Sequence, residues 1–272
     1  MNRSFLKIQK QRSNKFVNSF FKNIGLDELV FESSKKQTDI KLQKKSETIK
    51  PVLEELYFLY QMIKINNRLT VLEFGSGYST LIMSIALYEN KLKLINNLNN
   101  IRKSNIFEIF TIENEIKYLN ITKKRNNFFL KKLKIKPKIN YIFSNCNVEL
   151  FNGNIVHSYS KLPKCNPDLI YLDGPGQFNL RGNINNINFA HNDFTPISSD
   201  IIKIEFFLNP GTIIVIDGRY HNVVYLRSNL KRNWIYHYVK YVNKHVLFLV
   251  EKPTGIMSKN LLSFYKKRFK NV

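Results

Sequence analysis

Apolar positions along the chain fall into two kinds of run. Short unbroken runs, Leu69 to Phe74, Ile106 to Ile112, Ile139 to Phe143, Leu169 to Leu172 and Thr212 to Ile216, have the length and make-up of buried parallel strands. Between them lie stretches with helical spacing. Leu53, Leu56, Tyr60 and Ile63 line one face of a helix that starts near Pro51, a favoured first-turn position, and ends by Asn66. Leu81 to Tyr88, Tyr118 to Lys132, Asp200 to Leu208 and Val223 to Leu230 predict further helices. Ser79 or Thr80 can cap the first of these, and Ser198 or Ser199 the third. Strands that alternate with helices predict an α/β sheet. The last two runs, Ile235 to Tyr241 and His245 to Val250, have no helix between them and predict an antiparallel hairpin at the sheet end.

The ends of the chain break this alternation. Residues 1–47 are basic and polar, although Phe16, Val17, Phe20 and Phe21 recur at helical spacing. Such a stripe suits packing on the chain's own domain, or a membrane surface. Glu32 to Lys45 reads as a charged linker, and Leu92 to Asn105 as an Asn-rich exposed insertion. Asn179 to Pro196 is long for a simple connection, a length that accompanies function or disorder. A cationic amphipathic pattern runs from Leu261 to the end. The expected division is a basic extension (1–47), a central domain (48–255) and a basic C-terminal helix or tail (256–272).

Composition narrows this only in part. A chain of 272 residues with 43% hydrophobic content can bury a sizeable core. No apolar run is long enough to span a bilayer, and the N-terminus lacks the apolar core of a secretory signal. Cys146 and Cys165 make neither a disulfide framework nor a zinc spacing, so a cytoplasmic protein is expected. The net charge of +23 suits an anionic partner: nucleic acid, an anionic acceptor, or the inner face of a membrane. Lys, Asn and Ile are abundant throughout, so compositional drift explains the charge equally well.

The stretch Val71 to Thr80, VLEFGSGYST, organises the rest. A buried strand runs into the tight turn Gly75, Ser76, Gly77 and then into a helix. This is how α/β folds hold a nucleotide-like ligand at the carboxyl end of the first strand. Glu73 before the turn is a poor partner for a pyrophosphate and a good one for a positively charged ligand. In the dinucleotide fingerprint a third glycine would stand at Thr80, which counts against a nicotinamide-dependent oxidoreductase. Glu113, Asp173 and Asp217 close three further strands. Four acidic residues thus meet at the edge of the sheet where ligands bind.

EFGSG resembles motif I of the class I S-adenosylmethionine-dependent methyltransferases, and YLDGPGQF resembles their motif IV. The resemblance runs from about Leu53 to Glu251. Its later part, including SSDIIKIEFFLNPGTIIVIDGR, RNW and EKPTG, is similar to methyltransferases of bacterial surface-polysaccharide type. It implies a Rossmann-like methyltransferase fold: a mostly parallel seven-stranded sheet, a C-terminal antiparallel hairpin, and helices on both faces. It implies S-adenosylmethionine as methyl donor, held by Glu73, Gly75, Ser76, Gly77, Ser79, Thr80, Glu113 and Asp173. Glu73 would lie near the donor's ammonium group and Glu113 would take the ribose hydroxyls. The implied reaction is O-methylation of a sugar or other small hydroxylated acceptor.

For the chemistry, the candidates are Asp173, Asp217, His221 and Arg219. In one mechanism Asp173 and Asp217 bind Mg2+, which lowers the acceptor's pKa. Metal-dependent relatives carry a second Asp or an Asn after the fifth strand, whereas Gly218 stands here. In the other, Asp173 or His221 is the general base and no metal is used. His221 could also hydrogen-bond Asp217. Arg219 suits a phosphate or carboxylate on the acceptor, or a salt bridge to Asp173 or Asp217. Gln177 and Asn179 are placed to read sugar hydroxyls; Arg232 and Trp234 could flank a sugar or serve the core. Alternative readings are an RNA or DNA methyltransferase and a non-catalytic binding module. Against the former, DGPG stands where an NPPY-type tetrapeptide would, and no Pro-Cys pair occurs.

Overall fold

The computed structural model describes residues 5–35 and 49–269. The segment read as a linker lies mostly outside them. Helices α1 (Asn14–Asn23), α2 (Asp27–Ser34) and α3 (Leu53–Ile65) precede strand β1 (Thr70–Phe74) and helix α4 (Tyr78–Leu94). Then come β2 (Glu108–Glu113), α5 (Ile116–Lys132), β3 (Lys138–Phe143), β4 (Cys146–Phe151), β5 (Asn154–Tyr159) and β6 (Leu169–Leu172). The chain ends with α6 (Asp200–Ile204), β7 (Ile213–Ile216), α7 (Tyr220–Asn229), β8 (Trp234–Val239), β9 (Lys244–Leu249) and α8 (Gly255–Lys266).

Seven strands form one sheet in the order β3-β2-β1-β6-β7-β9-β8. The first five are parallel, and β9 runs antiparallel to both β7 and β8. This is the expected Rossmann-like methyltransferase fold. Strand order reverses between β1 and β6, so the crevice at their carboxyl ends is the place for a ligand.

Alternation along the strands sorts the core into two layers. Val71, Ile109, Leu169, Tyr171, Ile213, Val215, Val246 and Phe248 pack with α3 and α4 on one face. Leu72, Phe110, Ile170, Ile214 and Leu247 pack with α6 and α7 on the other. Side chains two apart on a strand share a face. Continuing that count to the strand ends puts Glu73, Glu113, Asp173, Asp217 and Lys244 all on the α3–α4 face.

The Phe16–Phe21 stripe is helix α1, and its Val17 and Phe21 join this same core. Phe20 meets the rings of Tyr57 and Tyr60 edge-on, each at 4.9 Å. At the other terminus, Leu261, Phe264 and Tyr265 of α8 are buried against Leu69 and Phe107. The Tyr265 hydroxyl donates to Asp168 Oδ2 at 2.9 Å, and the Arg68 guanidinium lies 3.9 Å from the Tyr265 ring centre. Asp168 also accepts from the Leu69 and Thr70 amides. This polar cluster sits at the amino end of the strands, opposite the ligand edge.

Several elements differ from the sequence reading, among them α2, which it does not contain. No element is expected between Phe143 and Pro167, yet β4 and β5 form a hairpin there. Its turn is Asn152-Gly153, both at positive φ, a dipeptide that favours such turns. Helix α4 begins earlier and runs through the first residues of the Asn-rich insertion, ending at Leu94. Among the described residues no helix is long and apolar enough to cross a membrane.

Candidate functional site

The glycine turn is held from three sides. Gly75 has φ +99°, a conformation that costs other residues dearly. A Cβ on Gly174 would stand 2.7 Å from Gly75 Cα, so the loops after β1 and β6 touch backbone to backbone. The Gly75 amide donates to the Ile112 carbonyl at 2.8 Å, and Thr111 Oγ1 donates to the Gly75 carbonyl at 2.7 Å.

Glu73 is 1% exposed and lines neither of the two cavities at this edge. It accepts from Ser79 Oγ and, at 2.6 Å, from Thr80 Oγ1. Thr80 Oγ1 also accepts from the Gly77 amide at 3.1 Å. Ser79 and Thr80 therefore lie inside the first turn of α4 and brace the loop through Glu73, while Gly77 takes the cap position. Burial pushes Glu73 up to about 7, although both hydroxyls favour its charged form.

Glu113 points toward the loop. Its Oε2 accepts from Ser76 Oγ at 2.9 Å, and its Oε1 accepts from the Asn114 and Glu115 amides at 2.9 and 3.1 Å. Burial raises its pKa, and these donors work against the shift.

Two cavities open at the switch point. The larger, about 680 Å³, is bounded by Gly75, Ser76 and Glu113 on one side and by Asp173, Arg219 and His221 on the other. A smaller one, about 270 Å³, lies along the start of α3 and α4 and includes Ser76, Gly77, Ser79, Glu55 and Arg125. Ser76, Asp173 and Asp217 line both. The volumes are of the order expected for small-molecule sites.

Asp173 makes no side-chain hydrogen bond or ion pair among the described residues. Burial, and then the neighbouring charge of Asp217, push it up to about 7. Asp217 goes the other way. Lys244 Nζ binds its Oδ1 and overcomes the effect of burial, so its pKa is lowered. Arg219 ion-pairs with neither acid; its Nη1 donates to the Pro175 carbonyl at 2.8 Å. His221 stands at the exposed rim beside Tyr220 and makes no hydrogen bond to Asp217, whose Oδ1 is held by Lys244. Gln177 and Asn179 line the larger cavity, where Gln177 Nε2 donates to the His191 carbonyl. Arg232 and Trp234 lie elsewhere, both bonded to Glu205.

Lys244 is the functional candidate that sequence reasoning misses. It is 3% exposed and also pairs with Glu55 Oε2 at 3.0 Å. Tyr171 Oη donates to the second Glu55 oxygen at 2.6 Å. The readable signal is register. Ile216 pairs with His245 antiparallel, so the next residue on β7 faces the preceding one on β9.

The magnesium expectation does not fit this donor set. Asp217 Oδ1 already holds the Lys244 ammonium, and a divalent ion on that oxygen would meet its charge. Among the described residues no three His, Cys, Asp or Glu side chains gather around a common point suited to a metal.

No protein-family model matches the chain, and no curated protein matches it. Solved structures do. An O-methyltransferase from Bacillus cereus in complex with S-adenosylhomocysteine is 11% identical over 87% of this chain and 97% of its own, with a TM-score of 0.43. A candidate caffeoyl-CoA O-methyltransferase from Staphylococcus aureus is 14% identical over 87% and 98%, with a TM-score of 0.47. A methyltransferase from Geobacter sulfurreducens is 8% identical over 86% and 97%, with a TM-score of 0.41. At such low identities and scores the functional reading rests on the site itself.

Proposed function

We propose that the chain is an S-adenosylmethionine-dependent methyltransferase that methylates a hydroxyl oxygen of a small acceptor, a sugar or similar polyol bearing an anionic group. The observation that carries this is one cavity with two different carboxylates. Glu113 stands beside the glycine turn, hydrogen-bonded and fixed. Asp173 stands across from it, without a donor of its own.

The site suits the donor. Gly75 and Gly77 put bare backbone at the cavity wall. Glu113 uses three of its about four acceptor positions within the protein. A ribose would take the remaining one and share Oε2 with Ser76. When bound, S-adenosylmethionine supplies a methyl group activated on a sulfonium sulfur. With donor and acceptor bound, Asp173 would take the proton of the acceptor hydroxyl as that oxygen gains the methyl group and the sulfonium sulfur leaves. Orientation across the cavity supplies much of the rate, and a base near neutrality is well matched to the proton. Arg219 offers its free guanidinium edge to a phosphate or carboxylate on the acceptor. Gln177 and Asn179 reach toward its hydroxyls.

Isothermal titration with S-adenosylhomocysteine tests the first half. Saturable one-to-one binding is expected. A folded wild-type chain that gives no binding heat ends the reading.

A further inference from the structure

Strand β9 brings one positive charge into the acidic edge. Lys244 Nζ is bracketed by Asp217 Oδ1 and Glu55 Oε2, and the charge of Asp173 adds a further attraction. The Tyr171 ring, whose centre is 6.0 Å away, lies beside the ammonium, and its hydroxyl fixes Glu55. Burial works against the lysine's charge, but Glu55, Asp217 and Asp173 together outweigh it and raise its pKa. An ammonium so enclosed is no solvated surface charge. Its aliphatic stem and its ion pairs are set by the β7–β9 register, not by a flexible loop.

We propose that Lys244 is the resident cation of this site: it pairs with Glu55 and with Asp217 Oδ1, one of the oxygens a divalent ion on Asp217 would use, and it fixes the orientation of Asp217 at the cavity wall so that methyl transfer proceeds without a metal. Its catalytic part rests on the methyltransferase reading; its occupancy of the cation position does not. Lys244 lines neither cavity, so it acts through Asp217 as a positioning residue. The arrangement is economical in charge. Two carboxylates pair with one buried ammonium, and a doubly charged ion on Asp217 Oδ1 would have to displace it.

Two measurements separate these parts. The first uses Mn2+ alone, followed by electron paramagnetic resonance on the wild-type chain and on Asp217→Asn. No bound Mn2+ that depends on Asp217 is expected. A Mn2+ signal present in the wild type and lost in Asp217→Asn would overturn the proposal. This arm needs neither donor nor acceptor, so it stands even if the donor titration fails.

The second is kinetic. Chelation of divalent ions should leave wild-type turnover unchanged. Lys244→Ala should lose about 10- to 100-fold in kcat, with added ethylammonium restoring part of it. Lys244→Met fills the space and should not respond to the amine, whereas Lys244→Arg should retain more activity than either. Loss of wild-type activity on chelation with recovery on Mg2+ would sink the idea. So would a folded Lys244→Ala with wild-type kcat, or one deaf to every amine. If the alanine variant does not fold, the Mn2+ arm and the arginine variant still decide.

Discussion

Ser76 Oγ donates to Glu113 Oε2 across 2.9 Å, which ties the glycine turn after β1 to the end of β2. The bond sets the spacing between the loop and the residue assigned to the ribose. Glu113→Ala removes a charged acceptor and should weaken S-adenosylhomocysteine binding by about 1.5–3 kcal/mol, roughly 10- to 100-fold. Ser76→Ala should cost much less, because a ribose hydroxyl can occupy the freed position. Titration calorimetry on both variants checks the order.

Asp173 is pushed up to about 7 and must be ionised to take a proton. The fraction in the working form therefore rises with pH, and kcat/KM should climb through about pH 7 and level off above it. Asp173→Asn should lower kcat by about 10²- to 10⁴-fold, with donor affinity little changed. A pH–rate profile flat from 5 to 8 in the wild type would remove Asp173 from this role.

Arg219 reaches the cavity and, among the described residues, spends one donor, on the Pro175 carbonyl. Arg219→Ala should raise KM for an anionic acceptor about tenfold or more, the equivalent of a lost charge-assisted hydrogen bond. The dissociation constant for S-adenosylhomocysteine should not move. Steady-state kinetics with acceptors that carry and lack the anionic group separate the two effects.

Glu73 gives a stability signature. Its folded-state pKa, about 7, lies above the usual carboxylate value. The folded chain therefore holds a proton here that the unfolded chain releases between about pH 4.5 and 7. That contribution is fully present below about pH 4.5 and is lost as pH rises through 7. It amounts to about 3 kcal/mol. Glu73→Gln should show a shallower fall in unfolding free energy between pH 5 and 8, as read from urea titrations.

The cluster at the amino end of the strands should behave as structure alone. Asp168→Ala takes the carboxylate from the buried Lys103 ammonium and from the Leu69 and Thr70 amides, and removes the nearby negative charge that favours the Arg68 guanidinium. A loss of about 3–5 kcal/mol is expected, with donor affinity unchanged in whatever folds. Thermal melts and calorimetry on the same sample test both statements.

Much of this molecule is legible in its residues because the parallel strands are buried on both faces. Leu169–Leu172 and Ile213–Ile216 announce themselves as unbroken apolar runs, and an acid directly after each run falls at the ligand edge by geometry. The β4–β5 hairpin carries a turn signal in Asn152-Gly153, but its strands lack the apolar density of the sheet strands. Lys244 is different. It is one of 43 basic residues, and nothing nearby in sequence distinguishes it from the others. Only the antiparallel return of β9 carries it to Asp217, 27 positions away. Glu55 is hidden likewise, as an ordinary acid in the first turn of a helix. Pairings made across the sheet leave no local mark.

The contact between Gly75 and Gly174 has a mechanical meaning. Two backbones that touch without intervening side chains cannot shift separately. Whatever settles against the turn after β1 is therefore felt at once by the segment carrying Asp173, and the two halves of the cavity must be filled as a unit.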